Sequence, residues 1–303
     1  MIDYLDPDIA YLLGLIVARG EIVESGSYVT ITIEFPFKNL EVEGITRSYR
    51  NKDEILLSLD SIVNRIKALD LDIEKISMQH SVHLKISTKS RSLFMRNLRL
   101  FLGSYSNYYE FRVPKLIYEA SIDLKKEFMR GFGDVAGSVR KSNYDQRRRY
   151  RVYIDVLNQN WKLPVDICHL LQDHLNVPVQ TITWGHPNIR DPSLKDYNRN
   201  QPYAWAREHQ IKVYAEAYLG VGFYIRHKDE ILRELAQENI KRFGNKSPNF
   251  CNPPKTIRNP ARPHPMENDI RLPEEIRGKH FDSYWQICDA LGCPRMKKQS
   301  RLF

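Results

Sequence analysis

Apolar positions along the chain fall into alternating helical and strand-like periods, and the order of those periods occurs twice. Residues Asp6 to Gly20, ending in YLLGLIVARG, read as a helix with Asp6 as N-cap, Pro7 at the first helical position and Gly20 at a left-handed C-terminal position. YVTITIEF alternates β-branched and polar residues, the period of a half-buried strand. DEILLSLDSIVNRIKAL returns to helical periodicity, VHLKIST reads as a strand, and SRSLFMRNLRLFLG as a helix closed by Gly103.

The second half repeats the order. Leu124 to Gly137 reads as a helix, RYRVYIDVL as a strand, LPVDICHLLQDHL as a helix, VQTITWG and HQIKVYA as strands, and KDEILRELAQENIKRF as a final helix. Gly20 and Gly137 lie 117 positions apart (137 − 20 = 117), a suitable length for one αββαββα unit. The pentapeptide KDEIL, present at Lys52 and Lys228, stands at different distances from the two glycines and is coincidental. The predicted organisation is a first repeat over 1–115, a second over 116–243 and a C-terminal extension over 244–303. That extension opens with seven prolines between Gly244 and Pro273, which suits an extended arm. Its end, HFDSYWQICDALGCPRMKKQSRLF, has the outline of a first helix and turn of a helix-turn-helix, or of a plain helix packed on the body.

Composition narrows the function. The chain has 303 residues, 42 % of them hydrophobic, enough for a large core. Lysine and arginine number 46 against 37 acids, a net charge of +9, which favours a polyanionic partner such as nucleic acid. No apolar run is long enough to cross a membrane and the start lacks a basic signal-peptide region, so the expected location is the cytoplasm, near the nucleoid. Cys168, Cys251, Cys288 and Cys293 are scattered without a CxxC pair, so neither a disulfide framework nor a zinc site is indicated. No P-loop, GxGxxG or HExxH motif is present, and His174, His186, His209, His264 and His280 show no ligand spacing.

LLGLIVARG (Leu12 to Gly20) and MRGFGDVAG (Met129 to Gly137), the second preceded by RVPKLIYEASIDLKKEF, resemble the two motif copies of single-chain LAGLIDADG homing endonucleases. The resemblance covers roughly residues 6 to 243. It implies an α+β fold of two pseudo-symmetric αββαββα repeats forming a DNA-binding saddle, acting as a monomer on double-stranded DNA. Small residues at Gly14, Ala18, Gly131, Gly133 and Ala136 would let the two motif helices pack backbone to backbone. Arg140, Lys141, Arg147, Arg148, Arg149 and Arg151 lie on a β-hairpin in this reading and are candidate DNA contacts, about half of them able to face DNA at once. His227-Lys228 resembles the segment that supplies a basic residue near the active site, which makes Lys228 a further candidate.

The pattern breaks at the helix tips. Where cleaving members carry a metal-ligating acid before each final glycine, this chain has Arg19 and Ala136. Alanine offers no ligand and arginine repels a metal, whereas a guanidinium suits both a helix C-terminus and a phosphate. Arg19 therefore reads as a phosphate clamp, with no metal and no catalytic residue expected. The leading reading is a DNA-binding protein without cleavage, a regulator or the target-recognition subunit of a mobile element or defence system with other protein subunits. The alternatives are a magnesium-dependent endonuclease using Glu21 or Asp134 as displaced acids, and an RNA-binding intron maturase.

Overall fold

The computed structural model describes residues 4–140, 149–157, 160, 162–187, 207–244 and 290. In the first half, helix α1 (Pro7–Arg19) leads into strands β1 (Gly20–Ser25) and β2 (Tyr28–Pro36). A short helix α2 (Phe37–Leu40) and a small hairpin, β3 (Val42–Glu43) with β4 (Ser48–Tyr49), follow. Helices α3 (Lys52–Ser58) and α4 (Asp60–Lys67), strands β5 (Asp72–Ser77) and β6 (Ser81–Lys89), and helix α5 (Leu93–Leu102) complete it. The second half holds α6 (Lys115–Glu119), α7 (Ile122–Ala136), β7 (Gly137–Arg140), β8 (Arg151–Leu157) and α8 (Lys162–His169), which continues as a π-helical turn over Leu170–His174. It ends with β9 (Val179–Pro187), β10 (Arg207–Tyr214), α9 (Ala215–Tyr218) and α10 (Arg226–Phe243).

The sheets repeat as the sequence suggests: β1-β2-β6-β5 in one half and β7-β8-β10-β9 in the other, antiparallel throughout. The fold is α+β with two repeats of one topology. In β2 the alternation is strict. Val29, Ile31, Ile33 and Phe35 are buried against the helices, leaving Tyr28, Thr30, Thr32 and Glu34 on the opposite face. The segment expected as one helix over DEILLSLDSIVNRIKAL breaks at Leu59, which caps α3 and precedes α4.

Helices α1 and α7 meet backbone to backbone. A Cβ built on Gly14 would lie 2.0 Å from the Phe128 carbonyl oxygen, and one on Gly131 would lie 2.1 Å from the Tyr11 carbonyl oxygen. Tyr11 and Phe128, like Gly14 and Gly131, are 117 positions apart (128 − 11 = 117; 131 − 14 = 117), so the two contacts are images of one another. No side chain fits at either place. Gly133 serves another neighbour. Its Cβ would lie 2.5 Å from the Tyr218 hydroxyl, so it makes room for α9 and not for the partner helix. Gly20 also departs from expectation. It is extended, with φ −95° and ψ 145°, and the strand leaves the helix without a left-handed turn. Glycine is needed there because a Cβ would meet the Ile16 carbonyl oxygen at 2.6 Å.

The halves are also tied at their rims. The Glu234 carboxylate of α10 accepts hydrogen bonds from the backbone of Ile45 (3.0 Å) and Thr46 (2.9 Å) in the β3–β4 hairpin.

Candidate nucleic-acid interface at the helix tips

The four last carbonyls of a helix have no partners within it, and the end of the helix carries partial negative charge. At α7 these carbonyls are filled from elsewhere in the fold. The Lys228 ammonium, at the start of α10, donates to the carbonyls of Gly133 (3.0 Å), Asp134 (2.9 Å) and Gly137 (2.6 Å). The Asn39 side-chain amide donates to those of Val135 (3.1 Å) and Ala136 (3.4 Å). Lys228 is wholly buried, so the residue expected to reach DNA instead plugs the end of a helix. Burial pushes its pKa down, opposed by the nearby Asp134 carboxylate.

Asp134 is likewise wholly buried. It accepts from the Tyr11 hydroxyl (2.7 Å) and from the backbone of Tyr224 (3.1 Å) and Ile225 (3.3 Å). Ile225 is the N-cap residue of α10 and has no side-chain cap of its own, so Asp134 supplies one from α7. Desolvation raises its pKa, against Lys228, Tyr11 and the two amides. A carboxylate so enclosed holds the fold and has no open side for a metal. Glu21, the other fallback acid, is exposed on β1 and pairs with Thr32 of β2.

The tip of α1 is built differently. Arg19 is 6 % exposed, and its Nη2 donates to Glu208 Oε1 at 2.6 Å. Lys38 Nζ donates to the same oxygen, also at 2.6 Å, and Glu34 Oε2 stands 3.6 Å from Arg19 Nη1. Asp155, held by Gln210 Nε2 at 2.9 Å, adds a further field. Burial acts to lower the Arg19 pKa, but the carboxylates Glu208, Glu34 and Asp155 outweigh it and the net shift is upward. Arg19 remains charged and is already engaged by an anion of its own chain. Neither Lys38 nor Glu208 stood out in the sequence, because 189 positions separate Arg19 from Glu208 and only the fold joins them.

The basic hairpin divides. Arg140 of β7 lies over the Tyr153 ring, 4.3 Å from its centre, and is partly exposed. Arg149 is buried, pairs with Glu216 at 3.2 Å and lies over the rings of Phe243 and Tyr214. Arg151 is buried beside Tyr214. Arg149 is covered by Glu216 of α9 and Phe243 of α10, and burial removes both arginines from the set of freely projecting cations. Lys141, Arg147 and Arg148 lie outside the described residues, as do Cys251, Cys288, Cys293, His264, His280 and nearly all of the C-terminal extension.

Cross-strand register fixes which residues share the sheet faces turned away from the helices. In the first sheet they include Glu21, Glu34, Asp72 and Glu74 against Lys85 and Lys89. In the second they include Arg140, Arg151 and Lys212 against Asp155 and Glu208. Among the described residues no group of three His, Cys, Asp or Glu side chains is arranged to hold a metal, and no helix is long and apolar enough to cross a membrane.

No family model matches the chain, and no curated protein matches it in sequence. Solved structures similar to it include I-DmoI in complex with DNA and Mn, at 14 % identity and a TM-score of 0.36, covering 79 % of this chain and 97 % of that one. I-DmoI in complex with DNA and Ca is similar at 16 % identity and 0.34, covering 68 % and 82 %. A set of mesophilic variants of the homing endonuclease I-DmoI is similar at 16 % identity and 0.35, covering 74 % and 95 %.

Proposed function

We propose that this protein binds double-stranded DNA in a sequence-specific manner, on a scaffold of the homing-endonuclease type, without metal-dependent cleavage. The observation that carries the reading is the pair of helix tips: Arg19, charged and ion-paired, on one side, and Ala136 with its carbonyls filled by Asn39 and Lys228 on the other. A phosphodiesterase of this plan needs oxygen ligands at that place to hold a divalent cation. Here positively charged side chains stand there instead. Two sheets of one topology, related through a tight helix pair on a basic chain, suit β-strand reading of a long, non-palindromic duplex by a monomer. A place as regulator or as recognition subunit of a mobile element or defence system fits such an activity.

The test is a binding selection of the full chain from randomised duplexes, with and without magnesium, beside structured RNA. One duplex class should be enriched and recovered uncut in both conditions. Magnesium-dependent cutting abolished by Glu21→Gln would make the protein an endonuclease with a displaced acid. Preferential recovery of RNA would favour the maturase reading.

A further inference from the structure

We propose that Arg19 and Lys38 form a seat for one phosphate of the bound DNA, and that Glu208 occupies that seat as an internal counter-anion in the free protein. This rests on the duplex-DNA reading above and adds the step that opens the site.

Three features of the cluster point the same way. Two cations from separate elements, α1 and α2, converge on a single carboxylate oxygen at 2.6 Å each, the arrangement in which charge-assisted donors grip an oxyanion. Second, Arg19 Nε is buried and has no hydrogen-bond partner among the described residues. Nε and Nη2 form one edge of the guanidinium fork, shaped for two oxygens of one phosphate, and Glu208 uses only the Nη2 half. A buried donor left unpaired is unfavourable, and a phosphate oxygen would satisfy it. Third, Glu208 sits near the start of β10, beside an irregularity in the β9–β10 register between Glu208 and Gln210. Such irregularities locally release the ladder and re-aim side chains. With Glu34 3.6 Å from the guanidinium and Asp155 contributing to its field, a phosphate can enter only as Glu208 leaves, or like charges would crowd one buried place. Glu208 thereby sets a threshold: random duplexes must displace it with backbone contacts alone, while the correct site adds base contacts that help.

The experiment compares the unmodified chain with Glu208→Gln on the selected duplex, by fluorescence anisotropy across a salt series. The variant should bind about tenfold tighter, with a log K against log salt slope steeper by about one to two, since phosphate no longer has to displace a carboxylate from Arg19 and Lys38. Equal or weaker binding by a folded variant would overturn the gate. Because Glu208→Gln replaces the carboxylate that both cations hold by an amide, Lys38→Met provides a second route that keeps Arg19 paired with Glu208. It should bind several-fold more weakly with a slope shallower by about one; unchanged affinity and slope would overturn the seat. A DNA-free readout separates the anion seat from the duplex reading. Inorganic phosphate should raise the melting temperature of Glu208→Gln but not that of Glu208→Gln with Arg19→Met, and no difference between them contradicts the seat. If phosphate stabilises the variant in this way while no form binds duplex, the DNA reading fails and the anion seat stands.

Discussion

Helix α1 ends on Arg19 and helix α7 on Ala136, equivalent positions 117 residues apart (136 − 19 = 117), and the fold neutralises the two ends in opposite ways. At α7 the carbonyls themselves are covered, by the Lys228 ammonium and the Asn39 amide, and the tip is closed. At α1 the helix carries its own cation, which turns outward to Glu208 on the sheet of the other repeat and shares that carboxylate with Lys38. The first arrangement is structural, because backbone carbonyls cannot be exchanged for a ligand without undoing the helix end. The second is a pairing of side chains, and side-chain pairs can be remade. One tip is thus part of the frame, and the other is where the proposed binding would act.

The comparison is tested most severely where the helices are most alike. Gly14→Ala and Gly131→Ala each force a Cβ to within 2.0 and 2.1 Å of a facing carbonyl oxygen, so the helices must part. Each should cost about 3–5 kcal/mol in denaturant unfolding, in similar measure for both. A loss below about 1 kcal/mol for either would show that the helix pair is not locked in this register.

The next largest effect lies at the closed tip. Lys228→Met keeps the length of the side chain and removes the donor to three carbonyls. We expect a loss of about 2–4 kcal/mol, with DNA affinity of the remaining folded protein unchanged. Normal stability with weakened DNA binding would move Lys228 out of the frame and into the interface.

A smaller effect belongs to the second repeat alone. His174 closes the π-helical turn beside Tyr118 and His169, and its pKa is lowered to about 4 by burial, then by Lys125 and His169, with Asp173 opposing. A histidine depressed in the folded state contributes stability above its unfolded pKa and loses it as pH falls through the folded value. Stability should therefore decline from about pH 6.5 to pH 4, by about 1–2 kcal/mol after allowance for solvent screening. His174→Gln should flatten that part of the melting-temperature profile, and an unaltered profile would assign the acid loss to other groups.

The smallest effect compares the two sheet faces. Arg140→Ala in the second repeat should weaken duplex binding by about 1 kcal/mol and reduce the salt slope by about one, while Lys85→Ala, which faces Glu74 and Thr32 in the first, should change less. Equal losses would mean that both faces bear on DNA alike.

Periodicity placed most of the longer helices and strands, and the Asp6 cap with Pro7 at the first turn, because these depend on residues a few positions apart, while the α+β plan of two repeats came from the family resemblance. Gly14 and Gly131 were legible as interface residues, since two small residues at equivalent places signal close backbones. Gly133 resembled them in sequence but serves Tyr218, a neighbour 85 positions away (218 − 133 = 85), and no local pattern carries that information. The same limit governed the charges. Arg19, Arg149, Arg151 and Lys228 read as candidate DNA contacts from the sequence, where no partner for them is nearby in the chain. Tertiary structure brought Glu208 to Arg19, Glu216 to Arg149, Tyr214 over Arg151 and three carbonyls to Lys228. A buried cation needs its partners in space, at distances of about 3 Å, and only the packing of distant segments against one another could supply them.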